Sequence, residues 1–84
     1  MSEYTIYVGS LSTDTTEETL RNHFFACGEI AKVTLLKHQE TGLSRGFGFI
    51  KFNDIASRDK ALEYNGMTLD GHTIKVNVPN KKQW

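Results

Sequence analysis

Three aromatic residues lie within two segments of the chain that are rich in strand-forming residues. Tyr7 lies in the segment 5–8, and Phe47 and Phe49 alternate with other residues in the segment 46–52. The faces of such rings can stack on nucleobases, and nearby lysine or arginine side chains can pair with phosphates. The chemistry that these residues offer is the noncovalent binding of a planar, negatively charged ligand, provided that the rings share one exposed surface.

Other kinds of chemistry have little support in the sequence. The single cysteine, Cys27, allows no disulfide within the chain, and His23, His38 and His72 lack the spacing of zinc ligands. No nucleophile is paired with a base, and no two carboxylates are placed on one surface. The loop 9–13 also lacks the arginine of an acylphosphatase-like phosphate cradle. We therefore expect no enzymatic activity, no metal and no cofactor.

The length and composition are those of one small globular domain. The chain has 84 residues, of which 38% are hydrophobic and 24% are charged. Its apolar runs are too short to cross a bilayer, so no membrane association is expected. Residues 1–4 do not resemble a signal peptide, and the expected localisation is nuclear, cytoplasmic or both.

The charges balance in number but are unevenly distributed along the chain. Segments 32–52 and 73–84 together contain seven basic residues and one acidic residue, whereas 1–31 and 53–72 contain three basic and nine acidic residues. If these two groups of segments lie on opposite sides of the fold, one face attracts phosphates. The alternative is an evenly mixed, solvated surface.

The hydrophobic pattern predicts four strands and two helices in the order β-α-β-β-α-β. Segments with β-branched residues or strict alternation, which indicate strands, are 5–8, 30–37, 46–52 and 73–78. Thr15 and Glu18 have the spacing of a capping box at the start of the first helix, and Gly28 ends it. Asp54 is a plausible N-cap of the second helix. Its apolar side is expected to contain Ile55, Ala61 and Leu62.

This order of elements predicts an α+β fold, a ferredoxin-like βαββαβ sandwich. Two right-handed crossovers give a four-stranded antiparallel sheet with both helices on one face, which leaves the other face uncovered. The domain is expected to cover residues 4–78, followed by a short tail at 79–84.

Alternation along the strands assigns the aromatic residues to the uncovered face. Since Ile50 and Phe52 suit the core, Phe47 and Phe49 must point away from it. Tyr7 also points away, because its neighbours in the strand are aliphatic. The residues expected to join this face are Lys32, Thr34, Leu36, Lys51, Lys75 and Asn77. Exposed aromatic residues mark a binding surface, and rings surrounded by lysines suit single-stranded nucleic acid.

Two segments resemble the signature sequences of one family, the RNA recognition motif (RRM). Residues 45–52, RGFGFIKF, resemble its RNP1 octamer at every position, and residues 6–11, IYVGSL, resemble its RNP2 hexamer with Ser10 in place of the usual asparagine. This resemblance extends over residues 4–78 and implies single-stranded RNA binding. It also implies that Gly46 and Gly48 allow a base or sugar to approach the backbone.

The resemblance implies specific roles for residues of the open face. Tyr7, Phe47 and Phe49 correspond to the stacking residues, and Arg45 corresponds to the cation that pairs with a phosphate. The complete set of predicted RNA-binding residues is Tyr7, Phe47, Phe49, Arg45, Lys51, Lys75, Asn77 and Lys32.

Shorter stretches resemble particular branches of the family. His23-Phe24 with 27–30, 33–36 and 57–62 are similar to the single motif of nuclear poly(A)-binding proteins, whereas 14–20 is similar to nucleolin. The first similarity implies A-rich RNA and a nuclear role in mRNA processing or metabolism, within a ribonucleoprotein.

A protein-binding module on the same fold is the alternative function. Phe25 occupies a position on the first helix where many family members are polar. It either packs against the second helix or forms a contact patch for a protein partner on the helical face.

Overall fold

The computed structural model describes residues 4–42 and 44–79, except for the side chains of Ser44 and Arg45. Most of the predicted tail, residues 80–84, lies outside these ranges. The elements are β1 (Thr5–Gly9), α1 (Glu17–Phe24), a 3-10 turn (Phe25–Cys27), β2 (Ile30–Lys37), β3 (Ser44–Phe52), α2 (Ile55–Leu62), β4 (Thr68–Leu69), β5 (His72–Thr73) and β6 (Lys75–Asn77).

Four of the strands form one antiparallel sheet in the order β2-β3-β1-β6, and β4 and β5 form a separate hairpin. The two central strands, β3 and β1, are those that contain the aromatic residues. The predicted α+β, ferredoxin-like architecture is confirmed. Neither helix in the described ranges is long and apolar enough to cross a membrane.

The core lies between the sheet and the two helices. Ile50 and Phe52 of β3 are fully buried, as are Leu20 and Phe24 of α1. The other buried hydrophobic residues are Ile6, Val8, Leu11, Cys27, Val33, Leu35, Ala61, Ile74 and Val76. The burial of Ile50 and Phe52 confirms the predicted division of β3 into a core face and an outer face.

Helix α1 begins one residue later than the capping-box pattern predicts. Its N-cap is Thr16, whose hydroxyl oxygen accepts a hydrogen bond from the Thr19 backbone N–H at 3.1 Å. Thr15 is buried, and its Oγ1 donates to Asp70 Oδ2 at 2.8 Å. The two threonines are equally good caps locally, and this contact with a distant turn engages Thr15 elsewhere.

Helix α2 begins after Asp54, as predicted, and Asp54 Oδ1 accepts from the Ser57 N–H at 2.7 Å. Its predicted apolar side is wrong at Ile55, which is 46% exposed. Ser57 and Ala61, one helical turn apart, are the buried residues. Ser57 lies against Gly28, where an added Cβ would collide with its Oγ atom. A small residue is therefore needed at both positions of this junction.

The last strand of the main sheet is shorter than the predicted segment 73–78. Thr73 belongs to the β4–β5 hairpin, which turns at Asp70 and Gly71 with φ angles of +52° and +80°. Val78 is exposed and does not extend the core. Alternation alone does not reveal that Thr73 and Lys75 belong to different ladders, because the hydrophobic period continues across the junction.

Candidate nucleic-acid interface

One row of side chains crosses all four strands of the main sheet. Tyr7 pairs with Phe49 on β3 and with Asn77 on β6, and Phe49 in turn pairs with Thr34 on β2. Residues directly opposite each other in antiparallel strands point to the same face. The row Thr34–Phe49–Tyr7–Asn77 therefore places two aromatic rings between two polar side chains, on the face opposite the helices.

The aromatic residues form a compact three-ring cluster, which we call the platform (Tyr7, Phe47 and Phe49). The ring centroids of Tyr7 lie 5.9 Å from those of both Phe47 and Phe49, and the two phenylalanine centroids lie 6.3 Å apart. These distances are within the range of favourable aromatic contacts. All three residues remain partly exposed, so their contacts orient the rings while leaving ring surface for a ligand. The placement predicted for these three residues is confirmed.

Gly9 lies directly against the Tyr7 ring of the platform, a contact that was not predicted from the sequence. It lies two residues after Tyr7 on the same face, and an added Cβ would lie 2.7 Å from Cζ of Tyr7. The tyrosine ring thus leans along β1 and covers Gly9. A glycine two positions after an outward-facing aromatic residue is a signal from which this role could have been predicted.

Lysines lie at both ends of the platform. Lys75 pairs with Gly9 on β1, whereas Lys51 pairs with Thr5 on one side and with Lys32 on the other. All three lysines are exposed, and Asn77 is exposed beside Tyr7. The structure therefore brings Lys32, Lys51, Lys75 and Asn77 to the predicted face. Arg45 belongs to β3, but its side chain is outside the described part of the structure.

The charges of the fold are segregated between the sheet and its surroundings. Every charged residue within the strands of the main sheet is basic: Lys32, Lys37, Arg45, Lys51 and Lys75. The acidic residues of the described ranges all lie in helices, turns or loops. The uneven distribution predicted from the sequence thus corresponds to a basic sheet, which favours a negatively charged ligand.

The role that the family resemblance implies for Gly48 is wrong here. Gly48 is buried and pairs with Val8 and Leu35, both of which belong to the core. A Cβ on Gly48 would collide with the backbone carbonyl oxygen of Thr34, so this glycine allows β2 and β3 to approach. Gly46 has a φ angle of +89°, and its carbonyl oxygen accepts from the Leu11 N–H at 2.9 Å.

Phe25 lies away from the sheet, in the 3-10 turn after α1, and is 70% exposed. The expectation that it packs against the second helix is therefore wrong. The turn leaves the regular helical phase on which that expectation depends.

The remaining candidate groups for reactive chemistry belong to the helix-side core. Burial raises the pKa of the Cys27 thiol, and a hydrogen bond with Cys27 raises the pKa of Tyr64. Both shifts favour the neutral forms, and a thiol must ionise to act as a nucleophile. Within the described ranges, no three histidine, cysteine or carboxylate residues are grouped as metal ligands.

The model of the RNA recognition motif family matches residues 6–75. Two curated relatives are glycine-rich RNA-binding proteins. Glycine-rich RNA-binding protein 1 of Mycosarcoma maydis is 41% identical over 78 residues, which are 92% of this chain and 45% of the relative. The glycine-rich RNA-binding protein of Daucus carota is 43% identical over 76 residues, which are 89% of this chain and 48% of the relative. The chain thus spans slightly less than half the length of these relatives.

Solved structures show the same architecture. The RRM of RNA15 has a TM-score of 0.87 and 27% identity, with 95% of this chain and 93% of that chain covered. The Rna15 RRM with bound RNA (GU) has a TM-score of 0.85 and 28% identity, covering 93% of this chain and 84% of that one. The second RRM domain of the yeast poly(U)-binding protein Pub1 has a TM-score of 0.82 and 29% identity, covering 92% and 94%.

Proposed function

Because the chain belongs to the RNA recognition motif family, we propose that it binds single-stranded RNA on the open face of its main sheet. The observation that carries this proposal is the platform of Tyr7, Phe47 and Phe49, three mutually contacting, partly exposed rings on a sheet whose charged residues are all basic. Exposed rings are retained on a protein surface at a cost in solubility, and a stacking ligand accounts for them.

Stacking supplies most of the binding energy in this proposal. Each base stacked on an aromatic ring contributes roughly 1–3 kcal/mol. Two or three such contacts, less the cost of ordering the RNA, give a dissociation constant on the order of micromolar. Thr34 and Asn77, at the two ends of the central row, offer hydrogen-bonding groups to base edges, and the lysines offer charge to the phosphates.

A preference for A-rich RNA is a finer proposal. It is supported by the similarity of several segments to nuclear poly(A)-binding proteins, which also suggests a nuclear or cytoplasmic role in mRNA processing. Two structurally similar proteins are associated with other bases, since the Rna15 RRM was solved with bound RNA (GU) and Pub1 is a poly(U)-binding protein. A direct comparison of bases is therefore part of the test.

Fluorescence anisotropy of labelled octanucleotides tests both RNA binding and the preference for A-rich RNA. Wild-type protein would be titrated against A8, U8, C8, (GU)4 and a mixed-sequence pool, in parallel with the double variant Phe47→Ala/Phe49→Ala. We expect micromolar binding by the wild type and a loss of at least tenfold in the double variant, with A8 bound most tightly. Phe25→Ala is the matched control, since it removes an exposed ring that lies outside the sheet, in the 3-10 turn after α1.

Two results would count against the proposal. Failure of the folded wild type to bind any of these RNAs at about 100 μM, well above the affinity expected from two or three stacks, would contradict autonomous RNA binding. Equal binding by wild type and double variant would contradict the platform as the site. Tighter binding of U8 or (GU)4 than of A8 would contradict the A-rich preference alone.

The exposure of Phe25 favours a second candidate function, in which the helical face binds a protein. Under this proposal Phe25→Ala would remove the association with that protein while RNA binding stayed unchanged. Association that survives the substitution would contradict it.

A further inference from the structure

Two lysines face each other directly across the β2–β3 pair. Lys32 of β2 and Lys51 of β3 are register partners, and both are exposed. They lie two residues from Thr34 and Phe49 respectively, so they occupy the next row on the same face as the platform. The row continues to Thr5 on β1.

An irregularity in β2 creates this arrangement. Ile30 pairs with Phe52, but the register shifts before Lys32 pairs with Lys51, which makes Ala31 an additional residue. Without the shift, Lys32 would stand opposite Ile50, which points into the core. Bulges of this kind re-aim side chains and are common next to binding sites. Here the bulge places Lys32 on the open face.

The pair is unfavourable in the unbound protein. Like charges directly opposite each other destabilise an antiparallel pair, and neighbouring strands are only about 4.8 Å apart. Among the described residues, neither ammonium group has a carboxylate or hydrogen-bond partner, and the ion pair of this part of the chain joins Arg58 and Asp59. An anion placed between the two groups would remove this repulsion.

We propose that Lys32 and Lys51 together form a subsite for one backbone phosphate of RNA, next to the base that stacks on Phe49. This inference rests on the proposed function. Lysine ammonium groups each offer three donors and converge readily on phosphate oxygens. The phosphate would thus lie beside the platform at the end marked by Lys32 and Lys51. Lys75 lies at the opposite end, beside Gly9.

The salt dependence of binding tests the subsite. Affinity for the best octanucleotide would be measured from 50 to 300 mM salt for wild type, Lys32→Gln/Lys51→Gln and the control Arg21→Gln/Lys60→Gln. The control removes two exposed positive charges from the helices and so matches the change in net charge. We call Lys32→Gln/Lys51→Gln the sheet variant. In this variant only, we expect the slope of log affinity against log salt to become less steep by about 0.7, the value for one phosphate on a single strand.

The stability of the unbound protein should change in the opposite direction to its affinity for RNA. The sheet variant should unfold at an equal or higher urea concentration than the wild type, because the substitution removes repulsion. A variant that binds weakly because it is misfolded would instead unfold more easily. In the salt titration, a slope of log affinity against log salt equal to that of the wild type would overturn the proposal.

Neutralising single phosphates then locates the contact. Each phosphate of a tetranucleotide would be replaced in turn by an uncharged methylphosphonate. At one of these positions, the replacement should weaken binding by the wild type and leave binding by the sheet variant unchanged. If the replacement weakens binding by the wild type and by the Lys32→Gln/Lys51→Gln variant equally at every position, the subsite is overturned. If the wild type binds RNA and Phe47→Ala/Phe49→Ala abolishes binding, such a result would refute only the phosphate subsite. Absence of wild-type binding would refute the proposed function itself.

Discussion

Tyr7 is the residue on which the geometry of the open face depends. Its ring contacts both phenylalanines, its backbone pairs with β3 and β6, and its ring covers Gly9. A tyrosine in a strand has few rotamers, and the two rings and the glycine beneath it select one of them. The position of the stacking surface is therefore set by Tyr7 and three neighbours, Gly9, Phe47 and Phe49.

Gly9→Ala should weaken RNA binding without unfolding the domain. The added methyl group would collide with the Tyr7 ring and tilt it away from Phe47 and Phe49. We expect a loss of affinity of up to the value of one stack, roughly 1–3 kcal/mol. Anisotropy with the preferred octanucleotide measures the loss, and near-ultraviolet circular dichroism reports the change around the tyrosine. Gly42→Ala, in a loop with open space around the glycine but with a φ angle of +75°, is the control for destabilisation that arises away from the platform. Unchanged affinity in Gly9→Ala would contradict the positioning role.

At the scale of elements, the two helices meet where the 3-10 turn ends. Gly28 has a φ angle of +151°, and Ser57 of α2 lies directly against it. The backbone N–H of Asn53 also donates to the Glu29 carbonyl oxygen at 3.2 Å. The start of α2 is thus fixed to the end of α1, which sets how both helices cover the sheet.

Gly28→Ala should destabilise the domain more than Gly66→Ala. Both glycines have positive φ angles, but only at Gly28 would a Cβ meet another element. We expect a decrease of about 1–3 kcal/mol beyond that of Gly66→Ala, which is the usual cost of forcing extra volume into a packed site. Urea unfolding of the two variants checks this. Equal destabilisation would show that backbone strain alone makes glycine necessary at position 28.

The edge strand β6 depends on a side chain from the preceding turn. Asn65 Oδ1 accepts a hydrogen bond from the Val76 N–H at 3.0 Å, on the side of β6 that faces away from β1. Asn65→Ala should cost about 1 kcal/mol of stability and accelerate amide exchange at Val76. Asn22→Ala on the exposed side of α1 is the control. Unchanged exchange at Val76 would contradict the proposed capping of this edge.

Across the whole molecule, the sheet contains the basic strands, and the helical layer contains a partly buried histidine with a shifted pKa. The sheet strands contain only basic charged residues, whereas His23 is held in the helical layer against Phe24 and Tyr64. Burial lowers the pKa of His23 below its ordinary value, and the negative charge of Asp70 opposes this shift. The buried Nε2 atom has no hydrogen-bond partner among the described residues.

This shift predicts that the domain loses stability as the pH falls below about 6.5, the ordinary pKa of histidine. The unfolded chain then binds more protons at position 23 than the folded chain does, so protonation favours unfolding. The stability contribution of the neutral ring is complete above that pH and is lost as the pH falls toward the lower folded pKa. Urea unfolding at pH 7.5 and 5.5 measures the decrease.

His23→Phe should reduce the decrease between these two pH values, while His38→Gln, in an exposed loop, should retain it. Carboxylates with ordinary pKa values near 4 change little in this range. An equal decrease in wild type and His23→Phe would contradict the assignment to His23.

Much of the interface could be predicted because strands have a period of two. The burial of Ile50 and Phe52 requires Phe47 and Phe49 to point outward, whatever the detailed packing is. Helix boundaries were harder to predict, since Thr15 and Thr16 are chemically equivalent caps and a contact with Asp70 decides between them.

Three features could be predicted from the sequence alone: the order of the helices and main-sheet strands, the faces of β1 and β3, and the aromatic character of the open surface. These follow from local alternation, which neighbouring residues along one strand are enough to impose. The exposure of Phe25 and the pairing of Lys32 with Lys51 became clear only from the three-dimensional structure. Each of these depends on the register or packing of elements distant in the chain, where a shift of one residue reverses the face of a side chain.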